Sequence, residues 1–346
     1  MRNVAASLVV AVTLAVSVGV RADDTKLLLA LRNAPDNIRQ IASRAADRMG
    51  EGKLDEAITA FDDVIRIDPK FAFAFLGRGA VWSEKEAFDK AIADYTESIR
   101  LDPKIAFAYL CRGYAWYEKA NYDKAIIDYT EAIRLDPNDP ESCFWRGRAR
   151  FYHGDLELAI TDFDRSIKLD PTYQEGYHWR GVAHARNGDA TRAIVDLDEA
   201  IRLDPKDAAT ILDRGGAWLL KENKAKAIAD IEESIRLDPE MGRAYNMRGC
   251  CYILNKDFDR AIIDFDKAIR LDAEDAEAYL NRGAARAEKT QFDLAIADFD
   301  KAIKLDPKFA QAFANRGQAW VAKGDRDKAK ADIREAAKLD PERYGL

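Results

Sequence analysis

The chain has 346 residues, of which 48% are hydrophobic and 33% charged, with a formal net charge of -7. This is the balance of a globular protein and excludes a disordered or collagen-like chain. An acidic surface also disfavours sequence-independent binding to nucleic acid, which needs Lys and Arg to neutralise phosphate, so no nucleic-acid partner is expected.

The first predicted element is a signal peptide over residues 1–22. Arg2 is a short positive region, Val4 to Val20 is an uncharged run of seventeen residues, and Val20-Arg21-Ala22 offers small residues for cleavage before Asp23. The alternative is a retained anchor, but the run is short for a bilayer span. No other apolar run approaches membrane length, so cleavage leaves no integral membrane segment and predicts a periplasmic or extracellular protein. Residues 23–37 form an N-terminal segment. Within it DTKLLLALRN (24–33) predicts a short capping helix with Leu27, Leu28 and Leu31 facing inward.

From residue 38 to 346 the sequence repeats. Asp-Pro recurs every 34 residues from Asp68-Pro69 to Asp340-Pro341, with Asp272-Ala273 at the one exception. Arg-Gly keeps the same step eight times, from Arg78-Gly79 to Arg316-Gly317, and a degenerate first copy places Arg44-Ala45 in register. Nine copies result. Each holds two helical patterns. Asp before Pro suits the N-cap and first position of the first helix. Asp89, Asp123, Asp259, Asp293 and Asp327 are placed to cap the second, which carries Ala-Ile and further apolar residues at three- and four-residue spacing. The slots of Ile296 and Ile303 become Lys330 and Ala337 in the last copy, which predicts an array that caps itself.

These features resemble the tetratricopeptide repeat. AYLCRGYAW (108–116), AIIDY (125–129) and Pro137 follow its pattern, with Arg112 where the pattern has Leu. The resemblance implies an all-α fold: antiparallel helix pairs stacked into a right-handed superhelical solenoid, whose concave groove binds proteins or peptides. The physics of stacking agrees, since one helix pair cannot bury its apolar face alone. The arginine departure recurs in every later copy, and Asp94, Asp128, Asp162, Asp196, Asp230, Asp264, Asp298 and Asp332 follow it by sixteen residues. A ladder of Arg–Asp pairs within or between repeats is expected, orienting helices more than stabilising them.

The four cysteines, Cys111, Cys143, Cys250 and Cys251, have no zinc-like spacing and read as small core residues, although Cys111 and Cys143 remain candidates for a bridge. His153, His178 and His184 show no metal-ligand pairing, and no nucleophile motif or phosphate loop accompanies them. An enzyme is not expected, nor a metal or cofactor.

One stretch departs from the register. FWRGRARFYHG (144–154) concentrates aromatic and basic residues. Cys143 takes an aromatic core slot, and Arg150 and His184 stand where Trp82, Trp116, Trp218 and Trp320 pack between helices. Phe144, Arg148, Phe151 and Tyr152 fall in slots that face the groove by the resemblance, with Trp145 at its edge. The corresponding or adjacent slots of the neighbouring copies hold Phe107, Leu110, Tyr114 and Tyr117, then His178, Trp179 and Arg186. Exposed aromatics flanked by Arg are typical of recognition hot spots. Aromatics at helical spacing also serve plain packing. The expected ligand is a peptide or helix, favoured acidic by Arg148 and Arg186 and anchored by apolar groups. Two alternatives stay open: a glycan stacked on the same rings, and a passive structural module with no groove ligand. Copy six, with Ala225 in a capping slot and Asp213 on the groove side, is expected to be a soft point.

Overall fold

A computed structural model of the chain describes residues 34–345. The expected signal peptide and the 24–33 helix lie outside the described residues. The described chain is all-α, without a strand among the described residues. Nineteen helices follow one another: α1 (Asp36–Gly50), α2 (Leu54–Ile67), α3 (Ala72–Glu84), α4 (Phe88–Leu101), α5 (Ala106–Glu118), α6 (Tyr122–Leu135), α7 (Pro140–His153), α8 (Leu156–Leu169), α9 (Gln174–Arg186), α10 (Ala190–Leu203), α11 (Ala208–Leu220), α12 (Lys224–Leu237), α13 (Gly242–Leu254), α14 (Phe258–Leu271), α15 (Ala276–Glu288), α16 (Phe292–Leu305), α17 (Ala310–Lys323), α18 (Arg326–Leu339) and α19 (Pro341–Tyr344). None of the described helices is long and apolar enough to cross a membrane.

The chain divides after Ala183 into two compact units. In the first, α1 packs on α2, α3 on α4, α5 on α6 and α7 on α8. Each second helix also packs on the next first helix. The second unit repeats the scheme from α10 to α18, and α19 adds one turn against α18. Each unit is thus a stack of helix pairs, the α-solenoid arrangement.

Small residues allow the pairs to approach. The alanine of each Ala-Ile, from Ala57 to Ala295, is buried, as is Ala329 in the same slot of the last copy. The glycine of Arg-Gly lies under the large residue of the second helix. A Cβ on Gly113, Gly147 or Gly249 would stand 2.6–2.8 Å from the ring of Tyr129, Phe163 or Phe265. Those rings are fully buried, each contributing about 2–3 kcal/mol of transfer free energy. The same slot in α18 holds Ile333, which is 38% exposed, and Lys330 beside it is exposed too.

The arginine ladder is present and runs both within and between repeats. Arg78 Nε and Nη2 donate to the two carboxylate oxygens of Asp94 at 2.8 and 2.6 Å, while Nη1 donates to Asp62 of the preceding repeat at 2.5 Å. Arg112, Arg146, Arg214, Arg248, Arg282 and Arg316 make the same pairing sixteen residues on. Arg180 reaches back to Asp164 at 2.5 Å. Planar, bidentate pairing of this kind fixes orientation as well as distance.

Three expectations need correction. Asp-Pro does not start the first helix. Asp68 ends α2 in extended backbone at φ -134°, ψ 93°, and its Oδ1 accepts from Lys70 N at 3.0 Å; proline favours this conformation, and Asp272 before Ala273 adopts it as well. The helix begins four residues later. Of that series only Asp340-Pro341 behaves as expected, capping α19 through Arg343 N, so a further turn follows the last repeat; outside the series, Asp139-Pro140 does start α7, where Asp139 accepts from Glu141 N and Ser142 N. Second, Asp89, Asp123, Asp259 and Asp293 sit inside the first turn, where they meet Lys119, His153, Lys289 and Lys323 of the next repeat. The residues that cap are Asn121, Asp189, Asn223, Asp257 and Asp325. Third, the two grounds for a soft point in copy six are each met by a neighbour. Asn223 caps α12 in place of Ala225, and Asp213 pairs with Arg243. Cys111 and Cys143 are free and buried, and burial pushes the Cys143 thiol up to about 11.

The tryptophan slot has a rule of its own. Lys90, Lys124, Lys226 and Lys328 lie 4.0–4.1 Å above Trp82, Trp116, Trp218 and Trp320, in each case eight residues on. Where the slot holds Arg150 or Arg286, the eighth residue is Leu158 or Leu294, and the arginine donates instead to Asp162 or Asp298 at 2.8 Å. His184 in the same slot has Nε2 3.8 Å from Asp196.

Candidate functional site

The aromatic stretch lies within the first unit, on α5, α7 and the part of α9 before residue 184. Helical spacing puts Phe144, Arg148 and Phe151 on one side of α7 at i, i+4 and i+7. Trp145 and Trp179 hold the same register one repeat apart.

The rings touch from repeat to repeat. Tyr114 meets Trp145 edge-on at 5.0 Å, and Tyr117 meets Trp145 and Tyr152 at 5.5 and 5.9 Å. Phe151 and Tyr152 reach Trp179 at 5.5 and 5.9 Å, and His178 stacks on Trp179 at 5.7 Å. Phe144 contacts Trp145 and Tyr173. Such pairs add roughly 0.5–1.5 kcal/mol each beyond their buried area. Trp145 Nε1 also donates to Glu141 at 3.4 Å.

Arg148 is the hub. Its guanidinium carbon lies 4.3 Å from the Trp179 ring centre, 4.9 Å from Trp145, 5.2 Å from Tyr117 and 6.0 Å from Phe144. Ring faces attract the cation but neutralise none of its charge. Its Nε is buried without a hydrogen-bond acceptor. No carboxylate among the described residues forms an ion pair with it. Burial pushes the phenols of Tyr114, Tyr117 and Tyr173 up, and Arg148 opposes that rise at each.

The predicted site residues therefore separate. Tyr152 is 44% exposed. Phe107, Tyr114, Tyr117, Trp145, Arg148, His178 and Trp179 are half-buried. Leu110, Phe144 and Phe151 are buried at 3–5% exposure, so they support the face from beneath and are not contacts on it. The reason is lateral packing: the next repeat covers them. Arg186 is exposed and belongs to the second unit. Two ring partners escaped the sequence reading. Tyr122 stacks on Tyr152 at 5.8 Å, and Tyr173 packs on Phe144 at 5.1 Å. Tyr122 shares its slot with Phe88, Phe258 and Phe292, which was the available signal.

Among the described residues no group of three or more His, Cys, Asp or Glu is arranged to hold a metal. What the fold and this face define is a helical-repeat protein with a preformed, half-buried aromatic surface. Sequence models of the tetratricopeptide repeat match residues 43–104, 106–139, 147–188, 174–207, 242–275, 276–309 and 310–343. The chain belongs to the tetratricopeptide repeat family.

Three solved structures share the fold. The Cut9–Hcn1 hetero-tetramer of the APC/C matches over 97% of this chain and 67% of its own, at 17% identity and a TM-score of 0.61. A tetratricopeptide repeat protein from Parabacteroides merdae matches over 72% and 99%, at 18% identity and a TM-score of 0.60. PilF of Pseudomonas aeruginosa matches over 59% and 92%, at 18% identity and a TM-score of 0.52. At these identities the likeness is one of fold. None of the curated proteins matches the chain in sequence.

Proposed function

We propose that this protein is a non-enzymatic binding scaffold that holds a peptide or helix of a partner protein on the aromatic face around Arg148. The single observation that supports the reading is Arg148 itself. A guanidinium lies among four rings, and no carboxylate among the described residues forms an ion pair with it. A ligand carboxylate would meet a pre-oriented cation, and apolar ligand groups would cover Tyr152 and the rims of Trp145 and Trp179. Preorganisation of this sort lowers the ordering cost of binding. The preferred ligand is therefore acidic with apolar anchors. The apolar run after Arg2 supports an exported scaffold acting in the periplasm or outside the cell.

The test is partner capture from an extracytoplasmic extract. Wild type is compared with Tyr152→Ala, Arg148→Gln and the Trp145→Ala, Trp179→Ala double variant, each checked for helicity. One acidic protein captured by wild type and lost by folded Arg148→Gln and by the double variant is the expected result. Equal capture by all forms would remove the site. Retention of soluble polysaccharide instead of protein would favour glycan stacking on the same rings.

A further inference from the structure

The second helices carry an independent feature. In six repeats the residue four positions after the Ile of Ala-Ile, or its counterpart, is acidic: Asp62, Asp164, Asp198, Glu232, Asp266 and Asp300. Five of these accept from Nη1 of the framework arginine of the following repeat, at 2.5–2.6 Å. Glu232 makes no such pair with Arg248, and the last repeat has Arg334 in this slot with no repeat after it; Thr96 and Thr130 replace the acid by a hydroxyl. There Nη1 of Arg112 and Arg146 meets a hydroxyl, at 3.1 and 3.2 Å.

The charge balance changes accordingly. Around Trp82, the cations Arg78 and Lys90 face Asp94 and Asp62. Around Trp218 the same two-against-two count holds, and around Trp320 Arg316 keeps Asp332 and Asp300 while Lys328 pairs with Asp325. Around Trp116, Arg112 and Lys124 face only Asp128, whose two oxygens are already engaged by Arg112 Nε and Nη2 at 2.9 and 2.8 Å. A notch of about 240 Å³ opens at this place, lined by Thr96, Arg112, Trp116, Lys124, Ile127 and Asp128. Ile127 is 67% exposed. At Arg146 the lysine slot holds Leu158 and Arg150 shares Asp162, so the second threonine lacks the lysine.

We propose that this notch is an oxyanion site that takes a phosphate or carboxylate group carried on a small apolar body. The guanidinium has donors left over after Asp128 and Thr96 are served. The Thr96 hydroxyl accepts from Arg112 and still has its own proton to donate. Lys124 supplies the second charge, and hydrogen bonds to an ionised acceptor are roughly twice as strong as neutral ones. Trp116 and Ile127 give the apolar wall. The site is separate from the aromatic face and does not rest on it.

The probes are inorganic phosphate and acetate, titrated at constant ionic strength against the purified protein. The indole N–H resonance of Trp116, identified with Trp116→Phe, reports occupancy. A saturable shift is expected. Thr96→Asp places in the notch the carboxylate the other repeats have, so it should weaken the anion about tenfold or more while leaving thermal stability equal or higher. Lys124→Gln should weaken it as well, and this variant carries the test if Thr96→Asp folds poorly. Saturation by phosphate alone would identify a phosphoryl ligand, and saturation by both a general oxyanion. A shift no different from that in chloride, or Thr96→Asp and Lys124→Gln titrating like wild type, would overturn the assignment.

Discussion

Replacing Gly147 by alanine tests why glycine follows the framework arginine. A methyl group there would stand 2.7 Å from Phe163 Cε1 and 2.9 Å from Cδ1. Carbon atoms in contact normally lie about 3.5–4.0 Å apart, so the ring must retreat by roughly 1 Å. Phe163 is fully buried and has no room to do so. Overpacking costs about 1–3 kcal/mol, and alanine regains roughly 1 kcal/mol over glycine inside a helix. The net expectation is a loss of about 0–2 kcal/mol, the upper end applying if the ring cannot move. Gly215 is the internal control. Its added methyl meets Ile231 Cγ1 at 3.2 Å and Ala227 O at 3.3 Å. An isoleucine can yield by a few tenths of an ångström, so Gly215→Ala should be close to neutral. Urea unfolding gives the global value. Amide exchange in α7 and α8 gives the local one, since repeat arrays open in parts. Adding Phe163→Ile to Gly147→Ala should show a favourable coupling of about 1 kcal/mol. Equal losses at Gly147 and Gly215, with no coupling, would refute the argument that the ring dictates the glycine.

Asp162 accepts from Arg146 and Arg150, and Arg146 has only Thr130 besides it, so Asp162→Ala should cost about 3–5 kcal/mol by leaving buried cations unpaired. Asp230→Ala should cost distinctly less in the same urea assay, because Arg214 keeps Asp198 at 2.6 Å. Thr290 ends a first-helix turn at φ 59°, a left-handed conformation costly for a β-branched residue, so Thr290→Gly should raise stability by about 0.5–1 kcal/mol in thermal unfolding. Tyr129 is fully buried, its hydroxyl lacks a partner, and burial holds its phenol well above the ordinary value. A folded pKa raised above the unfolded one contributes stability below the unfolded value of about 10 and loses it as pH rises past that. Tyr129→Phe should therefore be neutral or stabilising by about 1 kcal/mol at neutral pH and should lessen the loss seen above about pH 10 by circular dichroism.

What repeats was legible. The step of 34 residues, the helix pairs and the arginine ladder all follow from residue types recurring in register. What depends on a neighbour was not. Asp-Pro permits a helix start or a helix end, and only the chain's path after α2 decides that Asp68 ends one. Leu110, Phe144 and Phe151 lie on the right helices, yet the adjoining repeat buries them. The rule for the tryptophan slot was present in the sequence eight residues downstream, but a scan for motifs within one helix does not join two helices.

The same frame holds every repeat, so a departure from it is informative only when no neighbour answers it. Arg150 in a tryptophan slot is answered by Asp162 and Leu158. His184 is answered by Asp196, and Asp213 by Arg243. The last two conserve local charge balance, while Arg150 shares Asp162 with Arg146 and is held through that shared carboxylate. Arg148 and Thr96 are different. The first adds a cation among rings with an unserved Nε. The second withdraws the carboxylate that the equivalent arginines of five other repeats retain. Both leave positive charge unbalanced in a protein whose net charge is negative. An uncompensated, partly buried cation such as Arg148 is costly to keep; Arg112 keeps Asp128 and Lys124 is exposed, and at both places a bound anion would supply the charge that is missing.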